Sequence, residues 1–127
     1  MAKEEKKIIL MVEDDEVLLR ALYLIFHEGG FTLATATDGE TALRMAERTK
    51  PDVILLDLLL PKMNGFDFLK NIKANPALRA IPVIVLSNLG DDDSIKKAKD
   101  LGAADYFIKA DTDLSALKDK VKKILNV

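Results

Sequence analysis

Pro51-Asp52-Val53-Ile54-Leu55-Leu56-Asp57-Leu58-Leu59-Leu60 is the stretch of this chain that says most about its fold. Proline breaks the backbone, and a near-continuous apolar run follows, the pattern of a parallel strand covered on both faces. Within that run stands one acid, Asp57. An unpaired buried carboxylate is costly, and the loop around it is otherwise apolar, so function accounts for it better than a loop cap does.

The same rhythm continues on both sides. Upstream, Ile8 to Val12 reads as a buried strand, and Asp15 to Glu28 as a helix with Leu18, Leu22, Ile25 and Phe26 on one face. Gly29-Gly30 stops that helix. Phe31 to Ala36 reads as a second strand, and Asp38 caps a helix carrying Ala42, Leu43 and Ala46 inward. Downstream, Asn64-Gly65 opens a helix with Phe66, Leu69 and Ile72. Pro82 starts a strand, Val83 to Leu86, where a missing amide donor is tolerable. A helix with Ile95, Ala98 and Leu101 ends at Gly102. Asp105 to Ile108 is the fifth strand, and Leu114, Leu117, Val121 and Ile124 mark the last helix. Five β-α units with short right-handed crossovers imply an α/β fold. A β-α barrel needs eight units, so an open sheet between helices is favoured.

The chain has 127 residues, 49% hydrophobic and 31% charged, which suits a single domain spanning 1–127 with its core at about 7–126. There is no cysteine and one histidine, His27, which excludes disulfides and thiolate sites and disfavours zinc. A net charge of −2 with mixed signs gives no general pull toward nucleic acid or anionic membrane. The polar start, Met1 to Lys7, lacks the apolar stretch of a secretory signal, and no apolar run is long enough to span a membrane. The expectation is a cytoplasmic protein.

In open α/β sheets the working groups lie beyond the carboxyl ends of the strands. Four such ends carry polar residues here: Glu13-Asp14-Asp15, Asp57, Ser87 and Lys109. Taken singly, the first acids read as a helix cap, Ser87 as a loop hydroxyl and Lys109 as a surface lysine. Taken together, two sets of carboxylates, a hydroxyl and an ammonium converge on one pocket. Oxygen ligands without imidazole or thiolate suit a hard cation such as Mg²⁺. A carboxylate beside Mg²⁺ is a competent nucleophile toward phosphorus, with Ser87 and Lys109 placed to serve the phosphoryl oxygens.

The chain resembles the receiver domains of two-component response regulators, especially the single-domain chemotaxis type. The residues that carry the likeness are Ile8 to Asp15, Val53 to Asp57, Pro61-Lys62-Met63-Asn64-Gly65, Val83 to Ser87, and Gly102 to Tyr106 leading to Lys109. The resemblance implies a flavodoxin-like, three-layer α/β/α fold, a doubly wound five-stranded parallel sheet of order 2-1-3-4-5. It implies Asp57 as phosphoacceptor and Glu13, Asp14, Asp57 and the Leu59 backbone carbonyl as Mg²⁺ ligands. Ser87 is then the switch hydroxyl, Lys109 the site lysine, and Tyr106 either the aromatic that turns on activation or plain edge packing. It implies a sensor histidine kinase or phosphotransfer protein as donor. A downstream protein would bind the helix 4–strand 5–helix 5 face, roughly Ile95 to Ile124, with no direct nucleic-acid contact. Such a domain catalyses only its own phosphorylation and dephosphorylation.

Ala110 departs from the pattern, which has a proline after the lysine. A cis bond before a non-proline residue costs on the order of 3 kcal/mol, so a trans loop or visible strain is expected. The resemblance puts Asn88 where the family often has a small residue controlling access to the phosphate, and Leu59 and Leu89 at positions that modulate dephosphorylation in similar domains. Two apolar side chains there hinder an attacking water, which predicts a long-lived phosphoryl group. Asp91-Asp92-Asp93 reads as the start of a helix, not a second metal site. Lys118, Lys120, Lys122 and Lys123 read as a solvated face, and His27 as exposed. Two other functions fit the residues less well. A small Mg²⁺-dependent aspartyl phosphatase would want an acid where Leu59 stands, and a degenerate receiver acting only as an interaction module would want the polar positions vacant.

Overall fold

The computed structural model describes residues 6–127; the polar start at 1–5 lies outside the described residues. The elements follow in strict alternation: β1 (Ile8–Val12), α1 (Glu16–Glu28), β2 (Thr32–Ala36), α2 (Gly39–Thr49), β3 (Val53–Leu56), α3 (Gly65–Ala74), β4 (Val83–Ser87), α4 (Asp92–Asp100), β5 (Asp105–Ile108) and α5 (Leu114–Leu125). The strands form one parallel sheet of order β2-β1-β3-β4-β5, as expected.

Alternation along each strand divides the core in two. Leu10, Val12, Ile54, Leu56, Val83 and Val85 face α2, α3 and α4, where Ala42, Ala46, Phe68, Leu69, Ile72 and Ala98 meet them. Ile9, Met11, Val53, Leu55, Ile84 and Leu86 face α1 and α5, through Leu22, Phe26, Leu117 and Val121. The central strands are thus apolar at successive positions because both their faces are covered.

Helix ends follow their local chemistry. Asp15, Asp38, Asn64, Asp91 and Asp113 each cap the next helix by accepting from backbone amides with a side-chain oxygen. Gly30 and Gly102 supply the positive φ, 84° and 106°, that turns the chain out of α1 and α4.

Three expectations shift. The chain joins β2 at Thr32 rather than Phe31, which instead packs edge-on against Phe26 at 5.8 Å. Ser87 is the last residue of β4 rather than the first beyond it. On α3, Phe68 is the fully buried aromatic, and Phe66 is only half-buried with the Lys97 ammonium 4.4 Å above its ring. Truncating Phe68 to alanine is expected to cost about 3–5 kcal/mol. Phe66→Ala should cost clearly less, and paired denaturant melts check the order.

Candidate functional site

The sheet order reverses between β1 and β3: the chain leaves β1 for β2 on one side and returns to β3 on the other. A crevice opens at such a point beyond the strand ends. Val12 and Leu56 are register partners, and the Asp57 amide donates to the Val12 carbonyl at 2.9 Å. Glu13 and Asp57 are therefore neighbours by backbone pairing alone.

The three acids after β1 have separate tasks. Glu13 is buried at 3% exposure and accepts from the Asp15 amide at 3.0 Å. Asp14 is exposed. Asp15 caps α1, accepting from the amides of Val17 and Leu18. One capping acid suffices, and the other two are left to the crevice. Glu13, Asp14 and Asp57 each offer a carboxylate oxygen, all within 4.8 Å of one another. An all-oxygen set of this kind fits Mg²⁺, which takes one or two carboxylates and keeps water in its remaining positions.

Lys109 reaches into the same crevice from the end of β5. Its Nζ lies 2.8 Å from Glu13 Oε1 and 3.0 Å from Asp57 Oδ2. The other Asp57 oxygen, Oδ1, accepts from the Leu59 amide at 3.2 Å. Burial alone would lower the Lys109 pKa, but hydrogen bonds to Glu13 and Asp57 and their two charges carry it above its ordinary value. Burial pushes the Glu13 carboxyl up, more than its hydrogen bonds to Lys109 and the Asp15 amide draw it down. No cis peptide bond occurs among the described residues. Lys109 instead opens a short 3₁₀ turn, Lys109–Asp111, that the sequence did not announce. Ala110 therefore leaves the reach of Lys109 intact.

Ser87 is wholly buried at the end of β4, and its Oγ accepts from the Leu89 amide at 3.3 Å. It is the register partner of Ile108, the residue before Lys109. Tyr106 is half-buried against the core beside α4, and its hydroxyl donates to the Leu89 carbonyl. Burial raises the pKa of this phenol, and the Asp91 carboxylate adds to the rise. Both readings of Tyr106, packing and coupling to the site, have contacts behind them. The Leu59 side chain is 55% exposed and stands free of the core, Leu89 is half-buried, and Asn88 is exposed.

The remaining sequence features fall outside the crevice. Asp91 caps α4 through the Ser94 amide and hydroxyl, which accounts for the acids there. His27 is exposed and stacks on Tyr23 at 5.4 Å. Of the lysines of α5, Lys120 is paired with Asp105 at 3.2 Å, so that face is only partly free.

Two close approaches on the loop between β3 and α3 escaped the sequence reading. A Cβ at Gly65 would lie 2.5 Å from the Asp57 carbonyl oxygen and 2.5 Å from Leu58 Cα. A Cβ at Gly39 would lie 2.1 Å from the Met63 carbonyl oxygen. The dipeptides Asp38-Gly39 and Asn64-Gly65 were the available signals, and they mark helix starts equally well.

Comparison with known proteins agrees with this geometry. The family model for the response regulator receiver domain matches residues 9–122. Sporulation initiation phosphotransferase F of Bacillus subtilis is 34% identical over 117 residues, 92% of each chain. Response regulator PleD of Caulobacter vibrioides is 38% identical over 101 residues, 80% of this chain, but this chain spans only about a fifth, 22%, of that protein's length. The receiver domain of sensor histidine kinase PA1611 from Pseudomonas aeruginosa PAO1, solved with a magnesium ion coordinated in its active site cleft, matches with a TM-score of 0.87 at 26% identity, covering 97% of this chain and all of that one. The chain belongs to the response regulator receiver family, the phosphoacceptor switches of two-component signalling.

Proposed function

We propose that Asp57 is the phosphoacceptor, that Mg²⁺ binds between Glu13, Asp14, Asp57 and the Leu59 carbonyl, and that residues 1–127 form one receiver domain. The observation that carries this reading is the buried Asp57 carboxylate, held at one oxygen by Leu59 and at the other by Lys109. A carboxylate fixed in this way loses little orientational freedom when it attacks. Bound Mg²⁺ would draw charge from the phosphoryl oxygens and offset the repulsion among the carboxylates.

In the transfer an Asp57 oxygen forms the new bond to phosphorus. The bond from phosphorus to the donor nitrogen of a phosphohistidine breaks, and the imidazole leaves with the electron pair. The histidine belongs to a sensor kinase or phosphotransfer protein. Lys109 stays near the developing charge as a point cation, and the Ser87 hydroxyl serves as donor to a phosphoryl oxygen. Once Ser87 turns toward the phosphoryl group, its hold on the Leu89 amide is given up. That amide and the carbonyl bonded to Tyr106 belong to the same residue. The helix 4–strand 5–helix 5 face is the surface that changes for a downstream protein, in the cytoplasm. No helix among the described residues is long and apolar enough to cross a membrane. The domain acts on its own aspartate and turns over no outside substrate.

Incubation with Mg²⁺ and acetyl phosphate should add one phosphoryl mass to the native protein and none to Asp57→Asn, read by intact mass spectrometry. An unmodified native protein that still binds Mg²⁺ would favour the interaction-module reading. Exposed Leu59 and half-buried Leu89 flank the approach to Asp57, so the phosphoryl group should persist well beyond seconds under Mg²⁺; a half-life of seconds refutes this. Lys109→Met should lower stability without Mg²⁺ by about 3 kcal/mol, because two buried carboxylates lose their shared cation. Saturating Mg²⁺ should recover more stability in that variant than in the native protein, as thermal melts would show.

A further inference from the structure

We propose that Gly39, at the start of α2, is a positioning residue for metal binding, acting through the Pro61–Met63 turn of the β3–α3 loop. The inference rests on the reading of Glu13, Asp14, Asp57 and the Leu59 carbonyl as the Mg²⁺ site.

The loop is fixed at each end by its own backbone. The Leu59 amide is bonded to Asp57 Oδ1, and the Gly65 amide donates to the Leu58 carbonyl at 2.9 Å. Between those ends the chain makes a tight reversal. The Met63 amide donates to the Pro61 carbonyl at 2.8 Å, with Lys62 held at a φ of 66°. A three-residue turn of this sort with a side chain at positive φ is strained, and persists only where its surroundings hold it.

The start of α2 supplies those surroundings. The Gly39 amide points at the Pro61 carbonyl oxygen at 3.5 Å. Gly39 Cα lies so near the Met63 backbone that a Cβ would come within 2.1 Å of its oxygen and 2.7 Å of Met63 Cβ. The preceding residue, Asp38, is largely buried and locked by the Thr41 amide and hydroxyl at 2.8 and 2.9 Å. Its carboxyl is drawn below the ordinary value chiefly by the Thr41 amide, and the Lys62 ammonium adds to the shift. The turn therefore rests against a helix end that is itself rigid.

A carbon and a carbonyl oxygen ordinarily approach no nearer than about 3.3 Å, so a methyl at position 39 must displace the turn by on the order of 1 Å. The clash is with the Met63 carbonyl and with the Cβ attached directly to that backbone, and no rotamer change relieves it. Mg²⁺ demands oxygen ligands in near-ideal octahedral geometry, and ligand positions matter to about 0.2 Å. Pro61 lies two residues after Leu59 and four after Asp57, so a shift of the turn is passed to both through a short stretch of loop backbone. The effect on metal affinity should exceed what lost stability alone explains.

The test is calorimetric Mg²⁺ titration of the native chain, Gly39→Ala and Ala46→Gly, with thermal melts of each. Ala46 lies two turns further along the same helix, about 10 Å from position 39, and is wholly buried in the core, so its variant reports plain destabilisation. Gly39→Ala is expected to bind Mg²⁺ at least tenfold more weakly, with Ala46→Gly within twofold of native. Affinity within twofold in Gly39→Ala, while the native chain binds Mg²⁺, overturns the inference and leaves the metal site standing. Failure of the native chain to bind Mg²⁺ overturns both. If Gly39→Ala does not fold, amide NMR of the native chain decides. Gly39 should shift during the Mg²⁺ titration with the same midpoint as Leu59 and Met63, and a Gly39 resonance that stays still while those move refutes the link.

Discussion

Everything about this site depends on seating the Asp57 carboxylate at the end of a strand with little of it exposed. The residue is 4% exposed and follows a strand covered on both faces. A carboxylate moved there without a partner would cost several kcal/mol or take up a proton. Lys109, 52 positions further along, supplies the partner and shares its charge with Glu13. The arrangement holds two acids with one base, so the crevice retains a negative excess that Asp14, more exposed, only increases. Attraction for a small divalent cation is thus built into the same contacts that make the burial tolerable.

That constraint also explains the order of the elements. Lys109 reaches Asp57 only if β5 lies in the same sheet with its carboxyl end at the same edge as that of β3. The parallel register, Leu56 with Val85 and Ser87 with Ile108, brings this about. Hydrophobic pairing on two faces sets the register, since a slip by one residue would exchange the side chains of the two apolar layers and spoil the packing of each against its helices. The polar residues are passengers of that pattern, placed at the strand ends by the apolar runs that precede them.

The strands and helix starts were legible because short-range chemistry decides them: apolar runs for β1, β3 and β4, and an acid or amide before each helix. So were the polar positions at strand ends, since the fold class says where to look. What escaped was set by distance in the chain. Phe66 and Phe68 are both large and apolar, and only the direction of α3 over the sheet decides that Phe68 is swallowed and Phe66 is left beneath Lys97. The 3₁₀ turn at Lys109–Asp111 follows from where α5 must begin. Gly39 and Gly65 read as ordinary residues of helix starts, yet each is glycine because another backbone passes within contact distance. Periodicity and capping rules carry no information on such contacts.

Ser87 and Tyr106 both hold the backbone of Leu89. Ser87 Oγ takes the Leu89 amide, and the Tyr106 hydroxyl donates to the Leu89 carbonyl. Leu89 lies between the crevice and α4, and α4 itself has a single fully buried residue, Ala98. A helix so lightly anchored is the element that can move at small cost. The hydroxyl that would meet a phosphoryl group and the aromatic on β5 are therefore linked through one residue of backbone. On the proposed reading, a change in what Ser87 bonds to would alter the restraint on Leu89, and through Leu89 the setting of Tyr106 and α4. Both contacts fall on one residue packed against the α2–α3–α4 layer of the core, beside a helix with a single buried side chain, so this segment is where a small rearrangement costs least.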